Sequence, residues 1–402
     1  MVTSTARFDL DDPATLVAAY ESGRLRELYD QLAAEAPLWR VPGLPDVFLA
    51  TTRELVEEAI SRPDSLSSNL TRVLFRDDDG CCGMWDMMPL GDPMHMLATA
   101  DPPRHTEHRK LLLPFLARRE MVVREPAVRA IAHELVAAFS GPTTDITTEL
   151  ADPLTMRVIC DVIGVPQEDS GTLVEAVIGM DRLIAGIATR AEMEAGAAAA
   201  LTLTMKLVEY LQGTPPDDSL LAHLRRAIRV GDLDDLGAMG ILLQIVTAGT
   251  ETTATLIGHA VRHLGVDALA QTRLRNTPAG IPDYLESILR EDGPFHFHYR
   301  TVLADTTLGG HPIPAGATVL MMWASADQTS AADGPTPASH LAFGRGIHFC
   351  IGAHLAKLEG RVALEELFAR APTFALDPDR APTSRSSLMM PRPTSTPIRW
   401  IV

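Results

Sequence analysis

The stretch AFGRGIHFCIGAHLAKLE, residues 342–359, places one cysteine, Cys350, behind a glycine-punctuated turn and at the mouth of a helix. The helical face that follows carries Ile351, Leu355, Leu358 and Val362, so the thiol stands at a helix N-terminus, where the dipole favours an anion. Gly344, Gly346 and Gly352 permit tight turns and the close approach of something flat or bulky. A dinucleotide fingerprint does not fit, because Phe349 occupies its last glycine position and no strand leads into the run. Taken alone, Cys350 reads as a buried apolar thiol, a nucleophile or a metal ligand.

The rest of the chain narrows the choice. Its 402 residues are 46% hydrophobic and 22% charged, the balance of a folded globular protein, which we read as one compact domain spanning 1–402. A formal charge of −17 argues against nucleic acid or anionic membrane as a general partner. The opening MVTSTARFDLDDP has neither a basic nor an apolar export region, so a cytoplasmic location is expected. Cys81, Cys82, Cys160 and Cys350 show no CxxC spacing, and neither a disulfide framework nor a zinc ribbon fits.

Apolar residues three and four apart predict helices in LVAAYESGRLRELYDQLAAEA, VRAIAHELVAAF, LVEAVIGMDRLIAGI and an Ala-rich run stopped by Gly213. Strands are expected in DVFLATT, in TTLGGHPIPAGATVLMMWA around its glycine turns, and in the C-terminal TPIRWIV. The fold class is therefore mainly α with a minor β region, and 66–103 and 324–341 read as loops. Residues 232–264 predict a central helix on the order of 45 Å long. Between Asp235 and Arg262 its only charged residue is Glu251. Gln244, the threonines and that glutamate leave the apolar run short of the ~20 residues of a membrane span. A helix apolar all round is then a core helix. A charged group inside it is costly unless paired, hydrated or titrated. In AGTETT, residues 248–253, Thr250, Thr252 and Thr253 can bond the preceding turn and Gly249 gives room, so the core holds a proton donor beside a hydroxyl.

A thiolate held by glycines with no second cysteine nearby suits an axial ligand to one iron in a large planar cofactor. FGRGIHFCIG resembles the haem-binding signature of the cytochromes P-450. AGTETT resembles that family's oxygen-activation motif, ESILR its ExxR helix through Glu286 and Arg290, and DPPRHTEHRK, 101–110, the segment that brings His105 and Arg109 to the haem propionates. The resemblance implies the cytochrome P-450 fold, haem b with Cys350 as its thiolate ligand in a loop at 342–352, and a monooxygenase. It implies that Ala248, Phe343, Gly344 and Gly352 contact the haem, that Arg300 and His348 are further propionate partners, and that Glu286 and Arg290 are structural, paired at helical spacing. Thr252 would hydrogen-bond oxygen and Glu251 relay protons to it. The alternatives are a haem-thiolate binding or sensor protein without turnover, and a cysteine hydrolase using Cys350 with His348 or His354.

One departure stands out. The family usually has an arginine before the haem loop that completes a triad with the ExxR pair, but SADQTSAADGPTPASHLAFG is shortened and holds none before Arg345. His340 is a candidate stand-in. For substrate, Met84, Trp85, Met87, Met88, Phe295 and Phe297 predict an apolar, adaptable pocket with His296 as a polar anchor, for an apolar or aromatic small molecule such as a natural-product intermediate. No flavin, nicotinamide or iron–sulfur pattern is present, so electrons are expected from a ferredoxin and an NAD(P)H-dependent ferredoxin reductase. Across 340–361 Arg345, Lys357 and Arg361 stand against Glu359, a local +2 for an acidic ferredoxin to meet.

Overall fold

The computed structural model describes residues 7–87, 96–330, 339–370, 373–385 and 387–401. Helices dominate, and the longest is the central helix, Asp235–Leu264. Asp234 caps it by accepting a hydrogen bond from the Gly237 N–H at 2.6 Å, which satisfies a donor the first turn leaves free. The helix is buried on most sides, packed against helices Asp152–Ile163, Ile281–Asp292 and Ala353–Arg370 in one apolar cluster. That enclosure is why its sequence has no polar face.

Local chemistry sets the other boundaries. The Ala-rich helix Arg190–Gln212 starts with a capping box between Thr189 and Glu192 and stops at Gly213. The first periodic stretch divides into Thr15–Glu21 and Leu25–Glu35, because Gly23 turns the chain at φ 69°. LVEAVIGMDRLIAGI is helical to Met180 and then tightens into a 3-10 turn, Asp181–Ile184.

The main sheet has five strands in the order Leu38–Arg40, Val47–Ala50, Thr318–Met321, His298–Val302 and Leu66–Ser67. Val47–Ala50 runs parallel to Thr318–Met321, with Val47 opposite Thr318. On the other side Val319 faces Arg300 across an antiparallel pair, so Arg300 sits on an interior strand. Thr306–Leu308 and His311–Ile313 form the expected hairpin, with Gly309 and Gly310 at positive φ. The C-terminal strand Pro397–Ile401 lies between Thr373–Leu376 and Thr143–Asp145.

Two expected loops are corrected. The 66–103 region contains Leu66–Ser67 and a second antiparallel pair, Arg72–Arg76 with Cys82–Asp86, closed by a turn that has Gly80 at φ 81°. The acidic, glycine-rich turn hides two short strands whose inward residues, Val73, Leu74, Phe75 and Cys82, are buried. Within 324–341, residues up to Ser330 belong to helix Trp323–Ser330, and 331–338 lie outside the described residues.

Candidate active site

A cavity open to solvent lies between the central helix and the loop that carries Cys350. Gln244, Ala248, Gly249, Thr252 and Thr253 line it from the helix, and Phe343, Cys350 and Gly352 from the loop. His105 and Arg109 reach it from helix Arg104–Leu116, and Phe295, His298 and Trp323 from beside the main sheet.

The loop is shaped to present the thiol. Gly344 and Gly346 adopt φ of 65° and 68°, and the Cys350 N–H donates to the Phe343 carbonyl at 2.8 Å, folding the chain back on itself. A Cβ at Gly352 would stand 3.8 Å from the Cys350 sulfur. Burial pushes the thiol pKa up, while the backbone N–H groups of Gly352 and Ala353 and the charge of Arg109 oppose it. Those opposing groups favour the thiolate.

His105 is buried, and neither ring nitrogen has a hydrogen-bond partner among the described residues. Burial, reinforced by Arg109, lowers its pKa. Burial likewise disfavours the charge of Arg109, and Cys350 favours it. His348 lies ring to ring with His105 at 4.2 Å, with its Nε2 2.9 Å from Ser68 Oγ. Burial and then Arg300 push His348 down to about 3. Arg300 donates to the Tyr299 carbonyl at 2.8 Å, lies 3.4 Å from Nδ1 of His298 on the wall, and is not itself among the cavity-lining residues. Buried imidazole nitrogens without partners and a half-buried arginine require an acceptor or an anion. The residues present therefore fit haem: Cys350 for the iron, His105 and Arg109 for the propionates, Ala248 and Phe343 for its apolar surface.

On the central helix Thr250 and Thr252 donate to the Val246 and Ala248 carbonyls, each at 2.7 Å, the local bonding their sequence predicts. The room that Gly249 gives is used by a neighbouring helix, since a Cβ there would meet Ile159 Cδ1 at 2.4 Å. Thr252 borders the cavity and Glu251 does not, as successive helical residues point about 100° apart. Glu251 is buried, with Oε1 3.8 Å from Arg392 Nε. Burial holds its carboxyl well above the usual range, Asp181 adds to this, and Arg392 and Arg385 oppose it.

The expected Glu286–Arg290 pair is corrected. Glu286 instead bonds His340 Nε2 at 2.8 Å and Lys357 Nζ at 2.5 Å, and Arg290 Nε has no hydrogen-bond partner among the described residues. The two basic partners flank the haem loop, one before it and one after, and their pull exceeds that of a residue one helical turn away.

Of the described residues expected around a substrate, only Phe295 borders this cavity. Met84, Trp85 and Met87 pack against a separate apolar cluster, Phe297 is buried within that cluster, His296 borders a smaller cavity beside Arg290, and Met88 lies outside the described residues. The hairpin Arg72–Arg76/Cys82–Asp86 carries Met84 and Trp85 away from the cavity, with the Trp85 ring against Phe75 and the Arg190 guanidinium. Sequence reasoning missed Gln244, His298, Trp323 and Glu359 on the cavity wall. Glu359 carried a usable signal, as a charged residue on the buried stripe of Leu355, Leu358 and Val362.

No protein-family model matches the chain. Its sequence is similar to cytochrome P-450 144 of Mycobacterium tuberculosis, 34% identical over 355 residues that cover 85% of this chain and 82% of that one. It is similar also to a vitamin D(3) 25-hydroxylase of Pseudonocardia autotrophica, 35% identical over 383 residues, 87% of this chain and 86% of the other. Among solved structures, a mutant of P-450 EryK in complex with erythromycin B superposes with a TM-score of 0.82 at 26% identity, covering 95% of this chain and 97% of that one.

Proposed function

Because the chain belongs to the cytochrome P-450 family, whose members bind haem b through a cysteine thiolate, we propose that it oxidises an apolar natural-product-like molecule at the cavity above Cys350. It is a monooxygenase by family, and the proposal concerns substrate class, electron donor and residue roles. The observation that carries it is that the Thr252 hydroxyl and the Cys350 thiol border one largely apolar cavity from two different elements. Relatives named for vitamin D3 and a structure holding erythromycin B support a bulky, mostly apolar substrate that is hydroxylated or oxidatively coupled.

Thiolate-bound haem supplies reductive activation of O2 and insertion of one oxygen atom into the substrate. The chain's residues supply the rest. His105 and Arg109 bind the propionates, and Arg109 with the N–H groups of Gly352 and Ala353 favours the Cys350 thiolate against the burial that disfavours it. Thr252 holds a proton on Oγ1 at the cavity wall, and Glu251 replenishes it. Leu97, Ile245, Leu256 and Phe295 bind apolar surface and exclude water. Electrons would come from an acidic ferredoxin and its NAD(P)H-dependent reductase, docking where Arg345, Ile347 and Phe349 are exposed. Each of the cations of that stretch is paired, Arg345 with Glu57, Lys357 with Glu286 and Arg361 with Glu125, and Arg345 is the most exposed of the three.

The test is the absorption spectrum of the purified protein, reduced under carbon monoxide. A long-wavelength Soret band establishes thiolate-bound haem, after which ligand-shift titrations with sterols and macrolides test the substrate class. No haem, or no shift with either class, overturns the corresponding part.

A further inference from the structure

Gln244 stands roughly one turn before Ala248 and two before Thr252 on the central helix, and all three border the cavity. Positions four apart share one helical face, so these side chains form a row leading away from Thr252. At 1.5 Å per residue Gln244 lies about 6 Å along the axis from Ala248 and about 12 Å from Thr252. Around it the wall is apolar, with Leu97 and Ala98 from the preceding segment and Ile245 from the helix. A carboxamide carries one acceptor oxygen and an amino group with two donors. The oxygen is already used: Gln244 Oε1 accepts from the Ala98 N–H at 3.3 Å, which also fixes which way the amide faces. Nε2 has no hydrogen-bond partner among the described residues, and the side chain is half-buried at the edge of open space.

A ligand that covers this amide without offering an acceptor leaves its donors desolvated and unpaired, which costs binding. A site of that kind rejects the analogue lacking the polar group more strongly than an apolar wall rejects a change of size. We propose that Gln244 is a specificity-determining residue whose Nε2 donates a hydrogen bond to an acceptor oxygen of the substrate, roughly 6–12 Å from the carbon that is oxidised. The substrate class is then an extended apolar skeleton with a ketone, lactone or ether oxygen at the end remote from the haem. This rests on the reading that the cavity above Cys350 binds the apolar substrate of a haem monooxygenase. No covalent step is involved, and the bond is made and broken with binding.

Ligands anchored on the iron test this without knowledge of the substrate. 1-Alkylimidazoles bind haem through nitrogen and shift its absorption, and their chains extend into the cavity. A series with a ketone moved carbon by carbon along the chain is titrated against the haem-loaded protein, with the unsubstituted chain as reference. We expect the ketone to tighten binding about five- to tenfold where it reaches the Gln244 amide, roughly 6–12 Å along the chain. Elsewhere it should weaken binding, being desolvated with no donor to meet it. Gln244→Leu should abolish the gain and bind the reference chain at least as tightly as wild type. Gln244→Glu keeps an oxygen for the Ala98 N–H and turns an acceptor on the cavity, so it should reverse the preference from the ketone to the matching alcohol. A gain at no position, or one that Gln244→Leu retains, overturns the proposal. So does a Gln244→Glu variant that binds the ketones like wild type, since the bond to Ala98 would then be the amide's whole use. Reference imidazoles that fail to bind would sink the haem-site reading itself, and this inference with it.

Discussion

The His340 ring reaches Glu286 at 2.8 Å, from just before the haem loop to the helix where an arginine partner was expected. His340 and Lys357 also bracket Phe343, with the His340 ring 5.7 Å and the Lys357 nitrogen 5.1 Å from its ring. One carboxylate thus ties both flanks of the thiolate loop. We expect His340→Ala to lower stability by about 1 kcal/mol, since Glu286 is partly exposed and keeps Lys357, and to speed haem loss to an acceptor. Burial would raise the Glu286 carboxyl, but bonds from Lys357 and His340 outweigh it and hold it low. Its contribution is present above the ordinary glutamate value and vanishes as pH falls through the lowered one. Haem loss that His340→Ala does not change between pH 4 and 7 would contradict the tie.

Cys350 is held protonated by burial until iron replaces the proton. Haem uptake by the apoprotein then releases one proton, so apparent affinity should rise about tenfold per pH unit across neutrality. Titrations at pH 6, 7 and 8 check the slope, and Cys350→Ala should abolish both the slope and the long-wavelength band.

His296 is kept neutral by burial, with its pKa near 4. The unfolded chain binds this proton from about pH 6.5 downward, so stability falls with pH between that value and the lowered one, by roughly 1.4 kcal/mol per unit for this group. Urea melts from pH 7 to 5 on wild type and His296→Gln should differ in slope by that amount.

Gly249→Ala puts a methyl against Ile159 Cδ1. The expected cost is about 1–3 kcal/mol, largely recovered by adding Ile159→Val, which removes that atom. Thermal melts of the single and double variants decide whether the glycine serves helix packing.

Arg345, 54% exposed, is the most exposed of Arg345, Lys357 and Arg361, and its pair with Glu57 lies at the surface. Arg345→Glu should slow reduction by an acidic ferredoxin several-fold at low salt and little at high salt. Stopped-flow reduction that is equal at both salts would remove this face as the docking site.

Much of this was legible beforehand for physical reasons. The central helix announced itself because a helix buried all round leaves a long apolar run with one charge in it, and Cys350 because its glycines have no other use. The direction of Glu251 was not legible, since its neighbour Arg392 lies about 140 residues away and shares no local pattern with it. The bond from Glu286 to His340 was likewise a tertiary fact. Met84 and Trp85 misled because apolar side chains look alike in sequence whichever cluster they fill.

The parallel pairing of Val47–Ala50 with Thr318–Met321 has a consequence for synthesis. The strand VFLA, buried at every position, emerges early from the ribosome, yet its central neighbour is made some 270 residues later. Until then one edge of an apolar strand is unsatisfied, the situation in which nascent chains aggregate or engage chaperones. Closure of the sheet is therefore a late, long-range event, and Thr318–Met321 completes it only shortly before Cys350 itself is made. Chains truncated before Thr318 would be insoluble for want of a strand, whatever the supply of haem.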